Sequence, residues 1–265
     1  MSSPVLHHIH VGDQHAAHRM IVLHGIYGAG RNWATFARAL TSARPDWAAI
    51  LVDLRLHGHS RGFEPPHLLS SCVHDLVELS GLLPGSVDAV LGHSFGGKVA
   101  LMLASALTPD QIWVIDSTPS RRTPGGGALR MLQTLRNLPD DFADRTEAVA
   151  RLEASGLAAP VALWMATNLE LVDGRFTWRF DLDDMECLLT DFFRRDLWDV
   201  VEAPPDPTVI HFVRASESDV LSAHELERIS GIAGGRTRAH ELHGGHWLHQ
   251  DNPAGLLDLV VSELP

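Results

Sequence analysis

A short stretch in the first half of the chain limits the fold more than any other. Val87-Asp88-Ala89-Val90-Leu91 is apolar and β-branched, as a buried strand would be. Gly97 to Ala106 is rich in Ala, Leu, Met and Val, as a packed helix would be. Between them, Gly92-His93-Ser94-Phe95-Gly96 fits G-x-S-x-G. A strand that turns this abruptly into a helix strains its central residue, and glycines are needed where a side chain would strike the neighbouring element. The turn lifts the Ser94 hydroxyl to the positive end of the following helix, where a nucleophile can be exposed.

This strand, elbow and helix resemble the α/β-hydrolase superfamily. The resemblance implies an α/β fold with a mostly parallel central sheet and helices on both faces. It also implies a helical lid inserted after the sixth strand. The core is then expected over 1–119 and 208–265, and the lid over 120–207, where strand and helix stop alternating. Helices are expected at Leu129–Leu138, Thr146–Ser155, Pro160–Leu169 and Asp181–Val201, with a small hairpin around Asp173-Gly174. Another amphipathic helix is read over Leu68–Leu83, with Asp75 and Glu78 on its polar side.

His24-Gly25-Ile26-Tyr27-Gly28-Ala29-Gly30 follows the buried strand Arg19–Leu23. In the superfamily an H-G-x-x-G loop here supplies one backbone donor of the oxyanion hole. That resemblance assigns the donors to Ile26 and to Phe95, the residue after the nucleophile. Asp53-Leu54-Arg55-Leu56-His57-Gly58-His59-Ser60 resembles another superfamily segment, read here as loop packing and hydrogen bonding.

An unassisted alcohol is barely nucleophilic at neutral pH, so Ser94 needs a base, and histidine titrates in the right range. The superfamily order places the base after the final strand. His246 in Gly244-Gly245-His246-Trp247 fits that place, with His243 and His249 as rivals and His249 read as a surface or cap residue. The acid is open between two places. Asp116 ends the strand Gln111–Ile115, on the ligand side of a parallel sheet. Asp219, with Glu217 beside it, lies in the later segment where most of the superfamily carries its acid. There the G-x-x-D-x-x-V pattern sets Ser218, not Asp219, at the acid position. Asp116-Ser117-Thr118-Pro119 resembles the D-x-x-P motif of the YbfF-type small bacterial esterases and their mitochondrial relatives. That resemblance implies Asp116 as the acid and Ser218 as a polar helper near His246.

The function expected is hydrolysis of small to medium carboxylic esters through a Ser-His-Asp triad and an acyl-enzyme. The same scaffold could carry a thioesterase, amidase or perhydrolase, or a non-catalytic binding module. Tyr27, Met131, Leu135, Trp164, Met165 and Trp247 are candidates for lining the substrate pocket. No cofactor and no metal are expected. The histidines at 7, 8, 10, 15 and 18 invite a metal, but alternation splits them between sheet faces and no carboxylate or cysteine joins them at ligand spacing.

Composition narrows the partners. A net charge of -12 argues against nucleic-acid backbones and anionic membrane surfaces. No apolar run is long enough to span a bilayer and no signal peptide is read, so a cytoplasmic monomer or homodimer is expected. Cys72 and Cys187 are too few for a disulfide framework and are read as reduced, buried thiols. Lys98 is the only lysine, a bias read as genome composition.

Overall fold

The computed structural model describes residues 4–265. Five strands come first: β1 (His8–Val11), β2 (His18–Leu23), β3 (Trp47–Val52), β4 (Ala89–His93) and β5 (Gln111–Ile115). Among them lie a 3-10 turn at Gly30–Trp33 and helices α1 (Ala34–Ala43), α2 (Leu69–Ser80) and α3 (Phe95–Leu107). The chain then runs through α4 (Gly126–Arg136), β6 (Asp141–Phe142), α5 (Arg145–Ala154), α6 (Ala159–Ala166), β7 (Leu169–Val172), β8 (Arg175–Trp178), α7 (Leu182–Arg194) and α8 (Trp198–Glu202). It returns as β9 (Val209–Ala215), α9 (Ala223–Ser230), β10 (Thr237–Leu242), α10 (Leu248–Asp251) and α11 (Pro253–Glu263).

The main sheet has the order β1-β3-β2-β4-β5-β9-β10. Among the described residues of this sheet, only β1 is antiparallel to its neighbour, pairing His8 with Val52 at the edge. Strands β2 to β5 are apolar runs because helices cover both of their faces. Within β2, Ile21 and Leu23 pack on one side, with α2 and α3, while Met20 and Val22 pack on the other, with α1 and α11. The chain leaves β2 outward to β3, then crosses back to β4 on the other side. The loops after β2 and β4 therefore part at this reversal and leave a crevice at the carboxyl ends of the strands, the usual ligand position in such sheets.

Several local expectations change. The 120–207 segment follows the fifth strand, not the sixth, because one strand alone precedes β2 among the described residues. The hairpin around Asp173-Gly174 forms as β7 and β8, and β6 adds a third strand to it. The helix expected over Asp181–Val201 is two helices, α7 and α8. The ammonium of Lys98, fully buried, explains the break: it donates to the carbonyls of Phe192, Arg195 and Ser120, each at 2.8 Å. A single cation thus takes up carbonyls that the last turn of α7 leaves free. Burial pushes the Lys98 pKa down to about 8, which still leaves the group mostly protonated at neutral pH. Asp75 is not on a polar face. It is buried and receives two bonds from Arg55, at 2.7 and 2.9 Å, so a bidentate ion pair holds α2 to the loop after β3. Cys72 is buried as expected, but Cys187 is exposed on α7. Among the described residues, no helix is long and apolar enough to cross a membrane.

Candidate active site

Strand β4 runs straight into Ser94, which caps α3 with φ 53° and ψ -115°. That left-handed φ is costly for a residue with a Cβ and persists only where the surroundings impose it. The glycines explain how. A Cβ on Gly92 would lie 2.1 Å from the Gly96 carbonyl oxygen, and one on Gly96 would lie 2.6 Å from the His24 carbonyl oxygen. The elbow therefore closes against itself and against the loop after β2.

That loop turns on a Gly28 N–H to Gly25 carbonyl bond of 3.0 Å. Tyr27 sits at its third position with φ 61°. His24 is buried within it. Its Nδ1 donates to the Gly25 carbonyl at 2.7 Å and its Nε2 accepts the Leu54 N–H at 3.0 Å, an arrangement only the neutral ring can make. Burial lowers the His24 pKa accordingly. Ile26 lines the cavity beside Ser94. Neither the Ile26 nor the Phe95 N–H donates to a turn, loop or cap partner among the described residues.

His246 follows β10. Its Nδ1 lies 2.7 Å from Oδ2 of Asp116, whose side chain is fully buried. The other carboxylate oxygen accepts the Ala215 N–H at 3.2 Å, and Asp116 itself has φ 42°. The remaining acid candidates lie elsewhere. Asp219 is exposed, and its carbonyl accepts from Arg122 at 3.3 Å. Glu217 is exposed and faces His243 at 3.6 Å. The Ser218 hydroxyl accepts the Val220 N–H at 3.2 Å and closes its own turn.

Ser94, Ile26 and His246 open onto one cavity of about 720 Å³, within the range of small-molecule sites. Of the pocket candidates, Tyr27, Met131, Trp164 and Trp247 line this cavity. Met165 and Leu135 do not: both are buried in the core. Adjacent helical residues point about 100° apart, so Trp164 takes the cavity and Met165 the interior. Leu157, Val161 and Trp33 add apolar wall that the sequence reading missed.

Two further histidines belong to the site. His249 is not a surface residue; it lines the cavity and stacks on Trp33 with ring centroids 4.5 Å apart. Burial, with His246 nearby, pushes its pKa down to about 4. His93, before the serine, donates through Nε2 to the His246 carbonyl at 2.8 Å. Burial and the neighbouring His246 and His249 hold its pKa well below the ordinary range, so it stays neutral and ties the His246 backbone to β4.

The Asp53–Ser60 loop packs as expected, but its carboxylate reaches further. Asp53 Oδ2 lies 3.0 Å from His7 Nδ1, so a carboxylate does join one of the N-terminal histidines. The strand order brings β1 alongside β3, which no spacing in the sequence shows.

Residues 20–259 match the model of the alpha/beta hydrolase family. The chain is 30% identical over 260 residues to the sn-1-specific diacylglycerol lipase ABHD11 of Mus musculus, covering 92% of this chain and 80% of that relative. It is 29% identical over 254 residues to lipase LipV of Mycobacterium tuberculosis, covering 93% of each. A solved marine microorganism esterase superposes with a TM-score of 0.84 at 23% identity, covering 99% of this chain and 100% of that one. With its elbow, its sheet and nearly its whole length accounted for in this way, the chain belongs to the alpha/beta hydrolase family.

Proposed function

We propose that the chain is a serine carboxylic ester hydrolase for small to medium acyl groups, with Ser94 as nucleophile, His246 as base and Asp116 as orienting acid. The observation that carries this reading is the 2.7 Å contact between His246 and the buried Asp116, beside a strained Ser94 that opens onto the same apolar cavity. The lipases to which the chain is similar support an ester as the substrate.

His246 Nε2 takes the Ser94 proton as Oγ attacks the ester carbonyl, while Asp116 accepts from Nδ1–H and stabilises the imidazolium. The oxyanion is met by the Ile26 and Phe95 amides, the second at the positive end of α3. The alcohol leaves with the proton from His246. Water then gives its proton to His246 and its hydroxide to the acyl carbon; the acyl–Oγ bond breaks, the acid is released, and His246 returns the proton to Ser94 Oγ. Residues 120–207 act as a lid: Met131 and Trp164 supply apolar wall, and the Tyr27 hydroxyl donates to the Ala128 carbonyl at 3.1 Å across the boundary. The test is turnover across p-nitrophenyl esters of increasing acyl length. Saturable hydrolysis of short and medium esters that is lost in Ser94→Ala is expected; no turnover of any ester would overturn the reading.

A further inference from the structure

We propose that His7, Asp53 and His59 form a binding site for a borderline divalent cation of the Zn²⁺ type, outside the cavity that holds Ser94. Each residue offers one ligand atom, and the three atoms lie within 4.8 Å of one another. The two imidazole Nδ1 atoms face one carboxylate oxygen, Asp53 Oδ2, from 3.0 and 3.5 Å. Tetrahedral zinc with bonds near 2.0–2.1 Å sets neighbouring ligand atoms roughly 3.3 Å apart. The two nitrogen-to-oxygen spacings straddle that value, and the two imidazole nitrogens lie within 4.8 Å of each other, so rotation of the two imidazole rings would bring all three atoms onto one cation.

The ligands are held by a built scaffold. Asp53 N–H donates to the His7 carbonyl at 2.9 Å, and His7 N–H donates to Ser60 Oγ at 2.8 Å. Ser60 Oγ in turn donates to the Asp53 carbonyl at 2.6 Å. The carboxylate is oriented separately. Its Oδ1 accepts the Gly30 N–H at 2.7 Å and its Oδ2 the His59 N–H at 2.9 Å. Such outer bonds fix a carboxylate ligand and leave one lone pair of Oδ2 free. A Cβ on Gly58 would lie 2.2 Å from Oδ2, so this glycine keeps the approach to the oxygen open. The Asp53 side chain is 4% exposed, against 40% and 57% for His7 and His59, which leaves the fourth position to water.

Two imidazole nitrogens and one carboxylate oxygen suit Zn²⁺, Co²⁺ or Ni²⁺, whereas Mg²⁺ and Ca²⁺ prefer oxygen alone. Gly30 ends the loop that carries Ile26, so a bound cation would brace the N-terminal segment, the Asp53–Ser60 loop and that loop together.

The test is calorimetric titration of the full chain with Zn²⁺, repeated with Mg²⁺. Wild type is expected to bind about one equivalent of Zn²⁺ at this site, unaffected by Mg²⁺, with a raised melting midpoint. His7→Ala, at a half-buried position, and His59→Ala, at an exposed one, are each expected to weaken that binding at least about tenfold. His246→Ala, which removes the histidine of the other cluster, is expected to leave it unchanged. Absence of Zn²⁺ binding, equal binding by both N-terminal-site variants and wild type, or loss confined to His246→Ala would overturn the proposal.

Discussion

Asp116 and His246 stand 130 residues apart in the chain and 2.7 Å apart in space. Both come to the carboxyl edge of the main sheet, Asp116 directly after β5 and His246 after β10, with β9 between the two strands. The carboxylate is fully buried and keeps a backbone bond from Ala215, so its orientation does not depend on solvent.

Asp116→Asn should lower ester turnover by about 10⁴-fold, since the amide no longer holds the required tautomer of His246. Asp219→Asn, at an exposed position, should leave turnover within about twofold, the scale of a surface change. Steady-state kinetics of the two variants checks the assignment, and the opposite ranking would reverse it.

Lys98→Met should destabilise the chain by about 3 kcal/mol in urea, because the carbonyls of Ser120, Phe192 and Arg195 lose their common donor in a buried place. An unchanged urea midpoint would show that these carbonyls find other partners.

Glu225 gives the pH dependence of stability a definite sign. Burial alone would raise its pKa, but bonds from Ser120, Thr118 and Ser222 outweigh that and hold it down to about 2. A carboxylate depressed on folding contributes stability above its unfolded pKa, and that contribution fades as pH falls toward 2. Wild type should therefore lose stability between about pH 4.5 and 2 more steeply than Glu225→Gln. Parallel acid unfolding curves for the two would contradict this.

Trp164→Ala should shift ester preference toward longer acyl chains, because the indole fills part of the cavity wall. A methylene in an apolar pocket is worth about 1–3 kcal/mol, so ratios of kcat/KM between neighbouring chain lengths should change by about tenfold or more. Met165→Ala, buried in the core, should change stability and not this ratio.

What could be read from the sequence follows the range of the forces involved. The elbow was legible because part of its constraint is local: Gly92 leaves no room for a Cβ against the Gly96 carbonyl a few residues on. The alternation of Ile21 and Leu23 with Met20 and Val22 likewise announces a strand covered on both faces. Relations between loops were not legible in this way. Asp116 and Asp219 both follow strands of the sheet, and only the folded chain shows that the first is buried beside His246 and the second is exposed. Trp164 and Met165 are neighbours on α6, and composition cannot say which faces the cavity. Asp75 reads as a surface carboxylate until Arg55 is found beside it. The pairing of β1 with β3 brings His7 to Asp53, a contact that no pattern in either segment encodes.

The central claim is that Ser94 is an activated nucleophile, and covalent labelling tests it most directly. The native chain is treated with a fluorophosphonate, and the adduct is located by mass spectrometry of its peptides. A single adduct on Ser94, slowed strongly in His246→Ala and absent from Ser94→Ala, is the predicted result. An unlabelled Ser94 in the folded protein, or labelling that does not depend on His246, would contradict it.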